Sequence, residues 1–249
     1  MKYTLNQTRE LSIQIAEAIR GAIMNGSLLV DQRLPSEGEL CDRFAVSRST
    51  VREALKRLAA QSLIRTQRGA TGGAFVNRIR FEDAYPQQIT TATLLLSMND
   101  ISFETACEAR FAAERACVPL CARRCQPAHL ATMRTEIHRQ EQPNLSDEGF
   151  CTSDVAFHKA LIEGAGNPVL TYQLASAIEA MQPLMNMITF SKRDRTTIVD
   201  IHRKIADGIA NGNAEIADKG LAELAEYTQT LADQVRRQRV KDKQNTVRA

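Results

Sequence analysis

Two residues in the second half of the chain, Asp154 and His158, have the side chains and the spacing of metal ligands. They are four residues apart, so on one helix they share a face and can converge on one ion, and His202 would come from a facing helix. The planar, permanently charged guanidinium of Arg110 is suited to binding a carboxylate. The alternative for Asp154 and His158 is an ordinary pair on a helix surface. Two histidines and one carboxylate are also the ligand set of non-haem iron oxygenases, so a metalloenzyme is a second interpretation.

A cationic stripe near the N-terminus has the chemistry of nucleic-acid recognition. Arg48, Arg52 and Lys56 are spaced by four, and an arginine on a helix in the major groove can donate to guanine O6 and N7. Residues 1–80 contain 13 Lys and Arg against 7 Asp and Glu, whereas residues 81–249 contain 19 against 22. The stripe alone could be the solvated face of a surface helix. The uneven charge favours DNA binding by the first part of the chain.

The elements around the stripe predict a winged helix-turn-helix. The first helix has an apolar residue at every fourth position and ends at Gly26. Ser36 begins the second helix with a capping box, and Ser47 caps the third helix, which carries the stripe. Two short strands at 63–64 and 74–76 enclose a glycine-rich turn that forms the wing.

The candidate DNA-binding residues lie at the starts of the second and third helices, along the third helix and at the wing tip. Hydroxyls and backbone amides at a helix start can bind phosphate, and an arginine at the wing tip can enter the minor groove. The set is Ser36, Ser47, Arg48, Ser49, Thr50, Arg52, Lys56, Arg68 and Gly69.

Three motifs occur together in this region: Leu34-Pro35-Ser36-Glu37, Val46-Ser47-Arg48-Ser49-Thr50-Val51-Arg52-Glu53-Ala54-Leu55 and Gly72-Gly73-Ala74-Phe75-Val76. In this combination they resemble the DNA-binding domain of the GntR family of bacterial transcription regulators. The resemblance implies operator recognition through Arg48, Ser49 and Arg52 and through the wing at Arg68-Gly69. Where a fatty-acid-responsive member has a DNA-contacting arginine, this chain has Gly38, so we assign no DNA contact to that position.

The chain beyond a boundary near residues 78–88 reads as helix throughout, which predicts an antiparallel helical bundle and a mainly α protein. The predicted segments are 88–98, 102–125, 127–141, 147–164, 168–190, 196–211 and 213–238. The expected domains are a winged helix-turn-helix at 1–78, a linker and first helix at 79–100, a helical domain at 101–240 and a basic tail at 241–249.

Further motifs lie in the helical half: Glu108-Ala109-Arg110-x-x-x-Glu114, Asp154-x-x-x-His158 followed by Asn167-Pro168-Val169-Leu170, and His202-Arg203-x-Ile205. Together they resemble the FCD domain, the effector-binding and dimerisation domain of the FadR subfamily. The resemblance implies a divalent metal (Zn, Ni or Mn) inside the bundle, which together with an arginine binds the carboxylate of a small organic acid. It assigns Asp154, His158 and His202 to the metal, and these three with Arg110 to the effector.

The fourth metal position of the family is altered in this chain. The family commonly supplies a further histidine, and the gapless count forward from His202 places Leu224 there. Glu223 and Tyr227 would reach the site only after a shift of helix register. We therefore expect one of two outcomes. Either three protein ligands bind the metal more weakly, or the cavity no longer binds metal and is more apolar.

Two groups of sulfur-containing residues complete the helical half. Cys117, Cys121 and Cys125 line one helix face, either as a soft-metal or redox site or, in the interpretation we favour, as small packed side chains. The second group lines the effector cavity or belongs to the ordinary core, and it consists of Met181, Met185 and Met187 with Phe190.

The remaining features limit the class of protein. The sequence has no run of about 18 apolar residues and no hydrophobic signal core, so we expect a cytoplasmic protein with no membrane partner and with reduced cysteines. The predicted function is a homodimeric regulator, usually a repressor in this family, that binds a double-stranded DNA operator and responds to a small-molecule effector. One alternative is a constitutive DNA-binding dimer with a ligand-free helical domain. The other is a metalloenzyme, although such an enzyme has no need of a winged helix.

Overall fold

The computed structural model describes the backbone of residues 10–69, 72–98, 101–189 and 193–248, and their side chains except at 82, 182–189 and 239–248. The chain divides into two compact units, Met1–Asp83 and Ala84–Ala249. The described regions consist of helices and one two-stranded antiparallel sheet, which confirms the predicted mainly α class. None of the described helices combines the length and the apolar character that a membrane span requires.

The first unit is a helix-turn-helix followed by a two-stranded wing, as predicted. Its elements are α1 (Leu11–Met24), α2 (Glu37–Phe44), α3 (Arg48–Ala60), β1 (Ile64–Gln67) and β2 (Gly73–Val76). Their apolar faces enclose one core, in which Ile15, Val51, Leu58 and Val76 are fully buried. Burial of each such side chain stabilises the unit by roughly 1.5–3 kcal/mol.

The helix starts in this unit follow from their capping residues. The Ser36 hydroxyl accepts from the backbone N–H of Glu39 at 3.3 Å, and the Glu39 carboxylate accepts from the backbone N–H of Ser36 at 2.7 Å, so the predicted capping box is present. The Ser47 hydroxyl accepts from the N–H of Thr50 at 3.3 Å and begins α3. Between α2 and α3, Ala45 has a φ of 55°, the left-handed conformation that turns the chain sharply.

The wing is held close to the chain that precedes α2. Its strands pair in antiparallel register, with Ile64 opposite Val76. Gly73 has a φ of 145°, and a Cβ there would lie 2.8 Å from the guanidinium Nε of Arg33. At the tip, Gly69 has a φ of 111°, which favours glycine, and the next two positions lie outside the described residues.

The second unit is a helical bundle whose described residues contain no strand, as predicted. Neighbouring helices are joined by short loops and run antiparallel. The helices are α4 (Phe81–Met98), α5 (Phe103–Arg124), α6 (Pro127–Gln140), α7 (Asp147–Gly164), α8 (Pro168–Thr189), α9 (Arg195–Ala210) and α10 (Ala214–Arg248).

The start of α4 differs from the prediction, because the helix begins at Phe81 rather than at residue 88 and includes Pro86. A proline beyond the first turn removes one intrahelical hydrogen bond and crowds the carbonyl one turn earlier, which costs about 3 kcal/mol. A contact from outside helps to hold this turn, since the Tyr85 hydroxyl donates to Glu179 of α8 at 2.8 Å.

The end of α10 also differs, because the helix continues to Arg248 rather than ending at residue 238. Lysine, arginine and glutamine, which are good helix formers, make up half of residues 239–248. The predicted basic tail at 241–249 is therefore helical up to residue 248.

Two glycines bring α9 and α10 unusually close together. A Cβ on Gly208 would lie 2.7 Å from the backbone N of Ala217, and a Cβ on Gly220 would lie 2.6 Å from Cγ1 of Ile205. This close packing fixes the rotation of α10 against α9, and hence which side chains of α10 face the interior.

Candidate functional site

The three predicted metal ligands come together in the interior of the bundle. Asp154 and His158 lie on α7 and His202 on α9, and one donor atom of each lies within 4.8 Å of the others. The Nε2 atoms of His158 and His202 are 4.0 and 3.5 Å from Oδ1 of Asp154. Both histidines are almost fully buried, whereas Asp154 is partly exposed.

Each imidazole is oriented by a hydrogen bond from its other ring nitrogen. His158 Nδ1 donates to Oε2 of Glu114 at 2.6 Å, and His202 Nδ1 donates to Oε1 of Gln140 at 2.8 Å. With the proton held on Nδ1, the lone pair of Nε2 points toward Asp154. Both Nε2 atoms are buried and have no hydrogen-bond partner.

Glu114 is a central residue that the sequence analysis placed only in a motif. It is fully buried on α5, and its carboxylate accepts from Arg110 Nε at 2.6 Å as well as from His158. Burial raises the pKa of the Glu114 carboxyl, but the charges and hydrogen bonds of His158 and Arg110 outweigh it and lower that pKa to about 2. The signal that could have identified Glu114 is its position four residues after Arg110 on a predicted helix.

His202 has the protonation state that metal binding requires. Burial lowers the pKa of His202 to about 3, since the attraction of Asp154 is outweighed by desolvation together with the nearby His158 and Arg110. The neutral imidazole is the form that binds a metal ion.

The three residues fit a divalent transition metal. Two imidazole nitrogens and one carboxylate oxygen form a recognised ligand set, and an ion would supply the partner that both Nε2 atoms lack. Ligand atoms around a tetrahedral Zn²⁺ are separated by about 3.3 Å, so the observed Nε2–Oδ1 distances of 3.5 and 4.0 Å need only a small contraction.

Leu224 occupies the wall of the same cavity. It is 4% exposed and lies beside Thr228, one turn further along α10. The gapless count therefore identified a position that faces the site, but a leucine cannot bind metal. Of the two possible substitutes, Glu223 is paired with Lys204 at 2.6 Å, and the Tyr227 hydroxyl accepts from the backbone N–H of Asp194 at 2.7 Å.

The cavity is small and mostly apolar apart from a few charged groups. The volume open to the centre of a water molecule is about 30 Å³. The Nη2 atom of Arg110 lies 4.0 Å from Oδ2 of Asp154 and is buried without a hydrogen-bond partner, so it is available to a carboxylate. The apolar wall is formed by Phe111, Phe150, Val155, Ile178, Ile198, Leu224 and Leu231.

Most of the predicted DNA-binding residues are exposed on the first unit. Arg48, Ser49 and Lys56 on α3 are exposed, as are Arg68 and Gly69 at the wing tip. These groups are therefore accessible to a large partner such as DNA.

Other members of this set are already engaged within the unit. Arg52 is exposed but pairs with Glu37 at 2.8 Å, so DNA would have to compete for its guanidinium. The hydroxyls of Ser36, Ser47 and Thr50 take part in the helix caps. We expect these three residues to act through the helix starts that they shape.

The cysteines of α5 pack against α7. Cys117 and Cys121 are fully buried and Cys125 is half-buried, and all are free thiols. A Cβ on Gly164 would lie 2.8 Å from Sγ of Cys121 and 3.2 Å from Sγ of Cys125. Burial raises the pKa of the Cys117 thiol to about 11. The packing role of these three cysteines stays a prediction.

The methionine group is described only in part. Met181 is buried in the core, and the side chains of Met185, Met187 and Phe190 lie outside the described residues.

Comparisons with known proteins match both units. The family model of the FCD domain matches residues 105–241, and the model described as "Bacterial regulatory proteins, gntR family" matches residues 11–76. The galactonate operon transcriptional repressor of Escherichia coli is 27% identical, over 92% of this chain and 99% of its own. The regulator LutR of Bacillus subtilis is 28% identical, over 84% and 96%. The solved structure of a Streptococcus agalactiae GntR protein superposes with a TM-score of 0.53 at 20% identity, covering 89% of this chain and 99% of that one, and supports the fold.

Proposed function

The chain belongs to the GntR family of bacterial regulatory proteins and carries an FCD domain, and from this premise we propose that it represses transcription until a small organic acid binds inside the helical unit. As a member of this family it is a DNA-binding transcription regulator. The release by an acid, the metal and the dimeric state described below are parts of the proposal.

The proposed DNA contact uses the exposed face of α3. Arg48 and Arg52 would reach base edges in the major groove, Lys56 would contact phosphate, and Arg68 would extend from the wing into the minor groove. One recognition helix reads too few base pairs to specify a site. We therefore propose a homodimer that binds an inverted repeat.

The proposed effector site rests on one observation: the buried nitrogen atoms without partners on His158 and Arg110 belong to residues that line one cavity, and that of His202 lies 3.5 Å from Asp154 in the same lining. Leaving such groups unpaired is costly, so a cavity that retains them is suited to a ligand. The triad of Asp154, His158 and His202 would hold Zn²⁺, Ni²⁺ or Mn²⁺. That ion would supply positive charge and open coordination positions to a carboxylate.

Around this ion, the described side chains would bind and orient the effector. Arg110 would donate from Nη2 to the carboxylate while Glu114 fixes the guanidinium through Nε. The apolar wall would exclude water from the remainder of the ligand. A carboxylate effector also agrees with the relative that is named for a galactonate operon.

The unpaired nitrogens argue against the first alternative, and the named relatives argue against the second. A helical unit with no ligand would have no reason to retain unpaired buried nitrogens, so a constitutive DNA-binding protein is less well supported. A metalloenzyme is less well supported because every relative described above is a transcription regulator.

The proposal can be tested with an operator selected from random DNA and monitored by fluorescence anisotropy. We expect Zn²⁺-loaded protein to release the operator when one member of a panel of small organic acids is added, and Arg110→Gln protein to bind DNA but ignore that acid. Lys204→Gln is the matched control, because it removes an exposed charge from the same unit. An acid that releases wild type and Arg110→Gln equally would contradict the proposed site.

A further inference from the structure

A second guanidinium lines the cavity, and neither the sequence motifs nor the proposed carboxylate contact uses it. Arg193 lies between α8 and α9, and its Nη1 donates to Sγ of Cys151 at 2.8 Å. Its Nε and Nη2 atoms are buried and have no hydrogen-bond partner. The guanidinium lies over the Phe150 ring, with Cζ 5.7 Å from the ring centroid. Arg193 therefore presents two unused donors in a partly apolar setting.

No described group around Arg193 supplies the anion that these donors would require. The Cys151 thiol is neutral, since burial raises its pKa. The Tyr227 hydroxyl lines the same cavity and already accepts from the N–H of Asp194, which leaves its own hydrogen available to donate. Arginine and tyrosine together form a recognition site for an oxyanion. Buried guanidinium donors without a partner are costly unless an anion binds there.

The charges around the cavity also indicate two negative groups on the ligand. Arg110 and Glu114 form a buried ion pair and cancel each other. Asp154 and Arg193 then contribute one negative and one positive charge to the same cavity. Once both imidazoles bind an ion in their neutral form, these side chains sum to zero, and a divalent ion at the triad leaves two positive charges. A monocarboxylate would neutralise one of them and a dianion both.

We infer that the effector is a short acid with at least two negative charges, whose first carboxylate binds at the triad and Arg110 and whose second anionic group, a carboxylate or a more highly charged phosphate, binds at Arg193. This inference rests on the proposed function and specifies its ligand class. A short ligand suits this small cavity, in which about 30 Å³ is open to the centre of a water molecule.

The test uses pairs of acids that differ only in the second anion. Malate is compared with 2-hydroxybutyrate, and 2-phosphoglycolate with glycolate, by calorimetry on full-length protein with and without Zn²⁺. We expect wild type to prefer the dianion of at least one pair by about tenfold or more, and the favoured pair identifies the second group. Arg193→Gln should abolish that preference while leaving the affinity for the monoanion unchanged, and Arg193→Lys should retain part of it.

Arg195→Gln is the matched control. Arg195 also lies over Phe150, but it is paired with Asp147 at 2.6 Å, so its loss should not change the preference for the dianion. Thermal unfolding and operator binding show whether each variant is folded.

The possible results separate this inference from the proposed function. Monoanion binding that requires Arg110 but shows no dianion advantage in either pair would overturn the inference and leave the proposed function standing. The same holds if folded Arg193→Gln loses both members of a pair equally. Binding of no acid by wild type would overturn both.

Discussion

The two units carry their functional charges in opposite environments. In the first unit Arg48, Arg52 and Lys56 lie in solvent, where water already satisfies their hydrogen bonds. In the second unit Arg110 and Glu114 are buried, and each stabilises the charged form of the other. A solvated charge can be removed with little effect on folding, whereas removal of a buried partner leaves its neighbour uncompensated. The same kind of substitution should therefore change binding in one unit and stability in the other.

The largest expected effect is the loss of Glu114. Glu114→Gln removes the anion that holds both Arg110 and His158, so the free energy of unfolding of the helical unit should fall by about 3–5 kcal/mol. Calorimetric unfolding of the full chain measures it. Glu223→Gln is the control, since it breaks an exposed pair with Lys204 and should change stability by less than about 1 kcal/mol. Equal effects of the two substitutions would show that the buried ion pair matters no more for stability than the exposed one.

The opposite behaviour is expected on α3. Arg48→Ala and Arg52→Ala should each weaken operator binding by about 1–3 kcal/mol if they contact base edges, with little change in the unfolding temperature. Lys56→Ala should weaken binding less, and to the same extent on unrelated DNA. Electrophoretic mobility shifts on selected and scrambled operators measure both effects. Arginine variants that bind as wild type does would show that α3 is only a solvated face.

Leu224→His tests the altered fourth metal position. The side chain faces the cavity, so a histidine there should raise the affinity for Zn²⁺ by about tenfold to a hundredfold. Leu231→His is the control, because Leu231 lines the same cavity from the same helix two turns further on, and it should bring no gain.

The competition of each protein with a zinc-binding dye measures this affinity. We expect wild type to be purified with less than one metal per chain. One tightly held metal in wild type would show that a ligand outside the triad was overlooked.

The sequence predicted the first unit more completely than the second, for a physical reason. Ser36 and Ser47 act on residues within three positions of themselves, so their caps can be identified from local sequence alone. The triad could be predicted only because the motifs of a known family place His202 with Asp154 and His158. Glu114 and Gln140 orient the histidines from 44 and 62 residues away, and Arg193 meets Cys151 across 42, so these contacts arise from packing that no local pattern encodes.

The smallest effect is expected at the cysteine face of α5, which is buried like the charged site but neutral. Replacing Cys117, Cys121 and Cys125 by Ala should lower stability by about 1 kcal/mol for each fully buried thiol and leave operator and acid affinity unchanged. In wild type, the raised pKa of Cys117 and its burial should make alkylation by iodoacetamide at pH 7.5 far slower than that of an unfolded control, as measured by mass spectrometry. This face thus separates burial from charge: loss of a buried neutral group costs only its packing, whereas loss of Glu114 also exposes a neighbour's unpaired charge. If diamide or Zn²⁺ changed operator affinity in wild type but not in the triple variant, these thiols would be a regulatory site rather than packed side chains. The helical unit would then contain a second buried reactive site besides the triad.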